Sequence, residues 1–278
     1  MTLRVLVVAS ETPDQQDQRR RRSGQASHET YADTLRRIDP TIELTHVCCV
    51  VTEGQAMTAE RLRTLDGAMF AGSPIQMHED NDATRAALAF MRRVYEAGLP
   101  SFGSCAGLQI ATAAAGGSTK VREAGMEVGL ARSIVAVGEG RNHPLLDGRP
   151  VAWDALAMHS SVVDRHPIGM TVLARTARTP VEVAEIRSAE GVHWGVQYHP
   201  ELSFDEIADA MRSSADSMLD QGLAKDRKAV ENYARLFETI GSDPSRSDLA
   251  WQIGISVETT EERLRTREMR NFLKRLRS

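Results

Sequence analysis

Cysteine is scarce in this sequence of 278 residues: there are three, and two of them, Cys48 and Cys49, are adjacent. That excludes a disulfide framework, and a reducing, cytoplasmic setting is expected. Cys48 and Cys49 fall inside a predicted strand and read as core and strand-face residues, not as a redox pair. No uninterrupted apolar run approaches the roughly 18 residues of a membrane span. The opening MTLRVLVVAS is too short an apolar stretch for a secretory signal. The eight histidines show neither HxxxH nor HxH spacing, so no metal is expected. A phosphate loop is missing too, because Gly116-Gly117 has no Lys-Ser/Thr after it and no strand before it. No cofactor is therefore predicted. Nor is there a large excess of one charge: the formal net charge of -4 does not describe a protein built to bind polyanions.

What remains is the composition of a soluble globular chain, with 41% hydrophobic and 26% charged residues. The length suits one large domain, or one domain with an appendage. Short apolar runs at Leu3 to Ala9, Ile42 to Val51, Gly67 to Gly72 and Leu99 to Gly103 read as strands. Helical patterns lie between them, at about Glu29 to Ile38 with Ser27 as cap, Ala59 to Leu65, and Thr84 to Ala97. Such alternation predicts an α/β, doubly wound, mainly parallel sheet. From Gly116 to Gln197 the texture shifts to short strands such as Val151 to Met158 and Val181 to Ile186, which predicts antiparallel additions. Phe204 to Leu219 and Ala224 to Ile240 read as amphipathic helices. Gly241 to Pro244 is a break, after which one short and one longer helix are expected. The division is thus residues 1–241 as the main domain and 242–278 as a helical C-terminal extension. Asp14 to Gln25 reads as a polar loop, and its Arg19 to Arg22 run as a solvated charge cluster. The functional alternative for that run is an anionic partner or substrate at the mouth of a site.

The chemistry concentrates in two places. Gly103-Ser104-Cys105-Ala106-Gly107 sits where a predicted strand meets an alanine-rich helix, which is an elbow arrangement for a nucleophile. The glycines permit a tight turn, and a helix N-terminus favours thiolate. The Ala106 N–H is placed to donate to an oxyanion. A thiol nucleophile needs a base and a group to orient that base. His199-Pro200-Glu201 supplies both, since residues two apart on an extended chain share a face.

These motifs resemble the class I (triad) glutamine amidotransferases. Gly103 to Gln109 resembles their Gly-x-Cys-x-Gly-x-Gln segment, and Gly195 to Glu201 their Gly-Val-Gln-Phe/Tyr-His-Pro-Glu segment. Ala71-Gly72-Ser73-Pro74 is similar to their Gly-Gly-Pro oxyanion loop, with Ser73 in a glycine position. Met158 to Val163 is similar to their His-Ser/Gly-Asp-x-Val segment, with Ser161 where Asp is common. The resemblance covers roughly residues 1–220. It implies a flavodoxin-like fold and hydrolysis of a γ-glutamyl amide through a thioester on Cys105, with His199 and Glu201 completing the triad. It further implies oxyanion donors at Ser73 and Ala106. Gly72 of the same loop would also touch the substrate, whose α-amino/α-carboxylate end would meet Gln109, Ser160, Ser161 and Val162.

Three functions stay in play. The first is a free-standing hydrolase of glutamine or a γ-glutamyl conjugate, releasing glutamate and an amine. The second is a glutaminase subunit that passes ammonia to a synthetase partner, since the residues after Glu201 are too few for a nucleotide-using synthetase. The third is a non-catalytic regulatory or nucleic-acid-binding protein on this fold. Against the third stand the intact Cys105, His199 and Glu201, and neither a nucleic-acid nor a membrane partner is expected. The basic Arg263 to Arg277 helix carries Glu268 as well as Leu264, Phe272, Leu273 and Leu276. It therefore reads as packing against the main domain or across a homodimer.

Overall fold

A computed structural model describes residues 2–278. Strand β1 (Arg4–Ala9) leads into α1 (Pro13–Ser23) and α2 (Ser27–Ile38), then β2 (Glu43–Cys48), α3 (Thr52–Gln55), α4 (Ala59–Leu62) and β3 (Gly67–Phe70). Next come α5 (Asp82–Glu96), β4 (Ser101–Ser104) and α6 (Ala106–Ala114). The middle of the chain is β5 (Ser118–Val121), β6 (Glu127–Ala136), β7 (Ala152–His159), β8 (Ser161–Arg165), β9 (Met170–Arg175), β10 (Val183–Ser188) and β11 (Gly191–Val196). Seven helices close it: α7 (Phe204–Ser213), α8 (Ala215–Asp220), α9 (Arg227–Ser242), α10 (Ser247–Gln252), α11 (Val257–Thr260), α12 (Glu262–Arg265) and α13 (Arg267–Leu276).

The main sheet has nine strands in the order β2-β1-β3-β4-β11-β10-β9-β6-β7. Strands β2, β1, β3, β4 and β11 run parallel, and β10, β9, β6 and β7 extend the sheet by antiparallel pairing. This is the expected α/β arrangement with antiparallel additions. Its cause is visible in β1, where alternate residues face opposite ways. Val5 and Val7 join Tyr31, Leu35, Phe102 and Phe272 on one face, while Leu6 and Val8 join Phe70, Phe90 and Leu108 on the other. Both faces are covered by helices, so each of these side chains is fully buried, at roughly 1.5–3 kcal/mol apiece. A third cluster packs Ile207, Met211 and Phe237 of α7 and α9 against Leu130 and Leu156 of β6 and β7.

The C-terminal helix α13 covers the centre of the first face. Met269, Phe272 and Leu273 belong to the β1 cluster, with the Phe272 ring 5.8 Å from Phe102 and 6.0 Å from Trp194. Arg149, on the loop before β7, is buried against it, with Nε donating to Glu268 Oε1 at 2.7 Å and Nη2 to Glu268 Oε2 at 2.7 Å.

Four readings need correction. Asp14 to Gln25 is not a loop, because Thr12 and Gln15 form a capping box, Pro13 starts α1, and Gly24 ends it at φ 81°. Ser27 does not cap α2. Ala26 holds that position, and Ser27 instead donates its N–H and hydroxyl to the buried Glu11 carboxylate. The helix expected over Phe204 to Leu219 divides at Ser214 into α7 and α8. The tail is four short helices rather than two, since Gly254 at φ 64° ends α10 and Ser256 restarts the chain as the α11 cap.

Candidate active site

Strand β4 delivers Cys105 to the C-terminal edge of the parallel strands, where α6 begins. Cys105 has φ 49° and ψ −101°, a conformation that costs a non-glycine residue of order 1–3 kcal/mol. Its N–H donates to the Val196 carbonyl at 2.7 Å, which fixes the turn to β11. The two flanking glycines are there for close approach. A Cβ on Gly103 would lie 2.8 Å from the Gly107 Cα, and one on Gly107 would lie 2.9 Å from the Phe70 Cβ. Without side chains at both, α6 can sit down on β4 and β3. Ala106 is the first residue of α6, so its N–H has no acceptor within the helix.

The chain leaving β11 brings in the other two members. The His199 N–H donates to the Leu156 carbonyl at 2.8 Å, and His199 Nδ1 shares a 2.7 Å hydrogen bond with Glu201 Oε1. Both side chains are buried, at 8% and 2% exposure, so the pair is scarcely screened by solvent. Burial alone would lower the His199 pKa. The Glu201 carboxylate and the hydrogen bond with Cys105 outweigh it and push the value up to about 10. Burial pushes the Cys48 thiol up, and the Cys49 thiol further still.

Cys105 and His199 lie in a cavity of about 370 Å³ with Gly72, Ser73, Pro74 and Met158. Its outer wall comes from α1 (Gln15, Gln18, Arg19, Arg22) and α7 (Glu206, Ala210, Ser213). Gly72 is pressed against the His199 imidazole, for a Cβ there would be 2.5 Å from His199 Cε1. Ser73 Oγ accepts from Ser10 Oγ at 2.8 Å and from the Ile75 N–H at 3.3 Å, which ties down the loop after β3. A larger cleft of about 1180 Å³ lies along β6 and β9, but neither cysteine nor histidine is among its lining residues.

The remaining predicted residues sit behind the nucleophile, outside that cavity. Gln109 Nε2 donates to the Ser161 carbonyl at 3.0 Å and to Gln197 Oε1 at 3.2 Å. Ser161 and Val162 are buried, and the Ser161 hydroxyl is covered by Gln76 and His78. The Ser160 carbonyl accepts from the Arg122 N–H at 2.8 Å. Gln197 was missed from the sequence: its Nε2 donates to Cys105 Sγ at 3.6 Å. It stands two residues before His199, so the spacing that paired His199 with Glu201 could have found it. The α1 wall falls on the Asp14 to Gln25 segment read as a loop, whose Arg19 to Arg22 run has a place at the mouth of a site only as its alternative reading. Among the described residues there is no group of three or more His, Cys, Asp or Glu able to hold a metal ion. None of their helices is long and apolar enough to cross a membrane.

Comparison with known proteins gives a consistent picture. Residues 31–213 match the family described as Glutamine amidotransferase class-I. A γ-glutamyl-L-1-hydroxyisopropylamide hydrolase from Pseudomonas sp is 29% identical over 99% of this chain and 93% of its own length. The GMP synthase [glutamine-hydrolyzing] of Wolinella succinogenes is 28% identical over 57% of this chain but only 29% of its own length. The chain thus spans under a third of that synthase. The crystal structure of a glutamine amidotransferase from Thermotoga maritima superposes with a TM-score of 0.64 over 99% of this chain and 98% of its own, at 13% identity. One from Methylobacillus flagellatus gives 0.60 over 98% and 92%, at 17% identity. At those identities the two structures speak for the fold alone.

Proposed function

We propose that this chain, which belongs to the class-I glutamine amidotransferase family, is a free-standing hydrolase of γ-glutamyl amides whose leaving amine is larger than ammonia. The family and the hydrolase relative make it a hydrolytic enzyme. The observation that carries the rest is His199, hydrogen-bonded to Glu201 and lining the same cavity as Cys105.

Each step follows from that placement. The Cys105 thiolate attacks the γ-carbonyl carbon, and charge develops on the carbonyl oxygen. The Ala106 N–H and the N–H of Ser73 are assigned to that oxyanion, because Pro74 has no N–H to offer. As the tetrahedral intermediate collapses, the C–N bond breaks and His199 gives its proton to the departing amine. The γ-glutamyl thioester remains on Cys105. Water then gives a proton to His199 and attacks the thioester, which releases glutamate and restores the starting charges. Glu201 holds the imidazole in one orientation throughout. The Ser160–Val162 segment, braced by Gln109, is assigned to the α-amino/α-carboxylate end of the glutamyl group. Reaching it requires Gln76 and His78 to move off Ser161.

The hydrolase relative supports a dedicated enzyme, since it aligns over nearly the whole of both chains. The GMP synthase matches favour a second reading, in which ammonia passes to a separate synthetase. A panel of γ-glutamyl alkylamides and arylamides, assayed beside glutamine, decides between them. The dedicated hydrolase turns over some substituted amide alone, at roughly 1–1000 per second, and glutamine more slowly. If every amide is inert until a second protein is added, and glutamine is then preferred, the subunit reading replaces it.

A further inference from the structure

Helix α1 has a composition that packing does not account for. Its eleven residues, Pro-Asp-Gln-Gln-Asp-Gln-Arg-Arg-Arg-Arg-Ser, include no apolar side chain other than Pro13. A helix docked on a core normally turns an apolar stripe inward. Here the one buried side chain is Gln16, while Gln15, Gln18, Arg19 and Arg22, spaced three and four apart along a neighbouring face, line the cavity that holds Cys105, with Gln18 and Arg22 exposed at its mouth. A polar, cationic surface is therefore presented to the catalytic pocket.

The charges around that face are unequally committed. Glu11 also lines the cavity, but its two oxygens accept from the Ser27 hydroxyl at 2.8 Å and the Ser27 N–H at 3.0 Å. Glu206 accepts from Thr30 Oγ1 at 2.8 Å, Arg19 Nη2 at 3.2 Å and the Ser203 N–H at 2.9 Å. Arg20, on another face, is paired with Asp17 and Glu29. Arg22 has no ion pair and no hydrogen bond among the described residues. Arg19 is only partly satisfied, because its Nε is buried without an acceptor. Burial, and then the like charge of Arg19, push the Arg22 pKa down against the opposing pull of Asp209 and Glu11.

We propose that Arg22, backed by Arg19, reads an anionic group on the amine half of the substrate, so that the preferred substrates are γ-glutamyl amides of amines carrying a carboxylate or similar anion. This rests on the γ-glutamyl amide reading of the site. With the glutamyl end assigned to Ser160–Val162, the space between α1 and α7 is left for the departing amine. Ser213 and Ser23 line the same space, their hydroxyls donating to the Ala210 carbonyl at 2.9 Å and the Arg19 carbonyl at 3.1 Å, which leaves the guanidinium as the group there that an anion would meet. The amine named for the Pseudomonas relative carries a hydroxyl and no charge, so the two enzymes would differ in this half of the pocket.

The test uses matched substrates: γ-glutamyl amides of 4-aminobutyrate, 4-aminobutanol and butylamine, which share the γ-glutamyl group and differ only at the far end of the amine. For the full-length protein, kcat/KM for the acid should exceed that for the two neutral amides by about tenfold, and the advantage should shrink in high salt. In Arg22→Gln the acid-to-neutral ratio should collapse towards one. In Arg22→Lys part of it should survive, and in Arg22→Glu it should invert in favour of 1,4-diaminobutane as the amine. A parallel loss on all three substrates in Arg22→Gln would overturn the proposal, since it would place Arg22 at the shared glutamyl end or in a structural role. Hydrolysis with no charge preference in the wild type would overturn it alone. A panel inert throughout would sink the hydrolase reading, and this inference with it.

Discussion

Gly72→Ala adds one methyl group and aims it at the His199 imidazole, the proposed base. The new Cβ would lie 2.5 Å from His199 Cε1 and 3.1 Å from Nδ1, where ordinary contact begins at 3.4 Å. Either the ring or the loop after β3 must yield by about 1 Å. The ring has little freedom, because Nδ1 is held at 2.7 Å by Glu201 and the whole side chain is buried. A displacement of about 1 Å at a reacting group costs about 100-fold in rate. That is roughly 2.7 kcal/mol of transition-state stabilisation, at about 1.4 kcal/mol per factor of ten. The overpacking should lower stability by only about 1–3 kcal/mol, so the variant should fold. Three measurements belong together: kcat on a γ-glutamyl amide, the rate of Cys105 alkylation by iodoacetamide, and the urea midpoint. Alkylation needs the thiolate beside His199 but no oxyanion donors, so it reports the imidazole alone. Both rates should fall. A kcat within twofold of wild type would refute the reasoning. So would a loss of kcat with alkylation unchanged, for the damage would then lie in the oxyanion loop.

Alkylation of the native protein should label Cys105 first and once per chain, because Cys48 and Cys49 are held as thiols by burial; peptide mapping that found the label on either would displace the nucleophile. Activity towards alkylamides should persist on the alkaline side and fall as pH rises through about 10, where His199 loses the proton it gives to the amine. The sign for stability is the same: a histidine raised from 6.5 contributes fully below 6.5 and loses that contribution as pH climbs through about 10, so Glu201→Gln should move both limbs downward by more than one pH unit. Glu268→Ala should leave Arg149 buried with only Glu258 beside it and cost about 3–5 kcal/mol, read as a drop in the urea midpoint; a loss below about 1 kcal/mol would show that α13 is not held this way.

The parts of this structure that announced themselves in the sequence are those where one residue pattern has one physical solution. The unbroken burial of β1 from Val5 to Ala9 and the glycines around Cys105 are of that kind, since side chains at Gly103 and Gly107 would keep α6 off β3 and β4. Helix α1 did not announce itself because the usual signal, an apolar stripe, is absent from it. It is specified instead by its ends: the Thr12–Gln15 capping box, Pro13 and the left-handed Gly24. Those signals were present in the sequence, but they were outweighed by the polarity of the residues between them. The same polarity is what makes the helix a candidate for substrate recognition.

Residues 198 and 199 show why the site could be read from the sequence but its support could not. The chain bends just past β11, and there His199 lines the cavity while Tyr198 enters the core. Tyr198 is fully buried, and its hydroxyl donates to Glu268 Oε1 at 2.8 Å, seventy residues further along the chain. Glu268 in turn accepts from Arg149, which leads β7. Strand β7 also supplies the Leu156 carbonyl that accepts the His199 N–H. The backbone that carries the base is therefore clamped from both sides, by Glu201 and Leu156 at His199 and by α13 at Tyr198. A local motif can encode the two side chains that touch the reaction. It cannot encode a clamp whose members are contributed by the loop before β7 and by the last helix, because only the folded sheet brings those segments together.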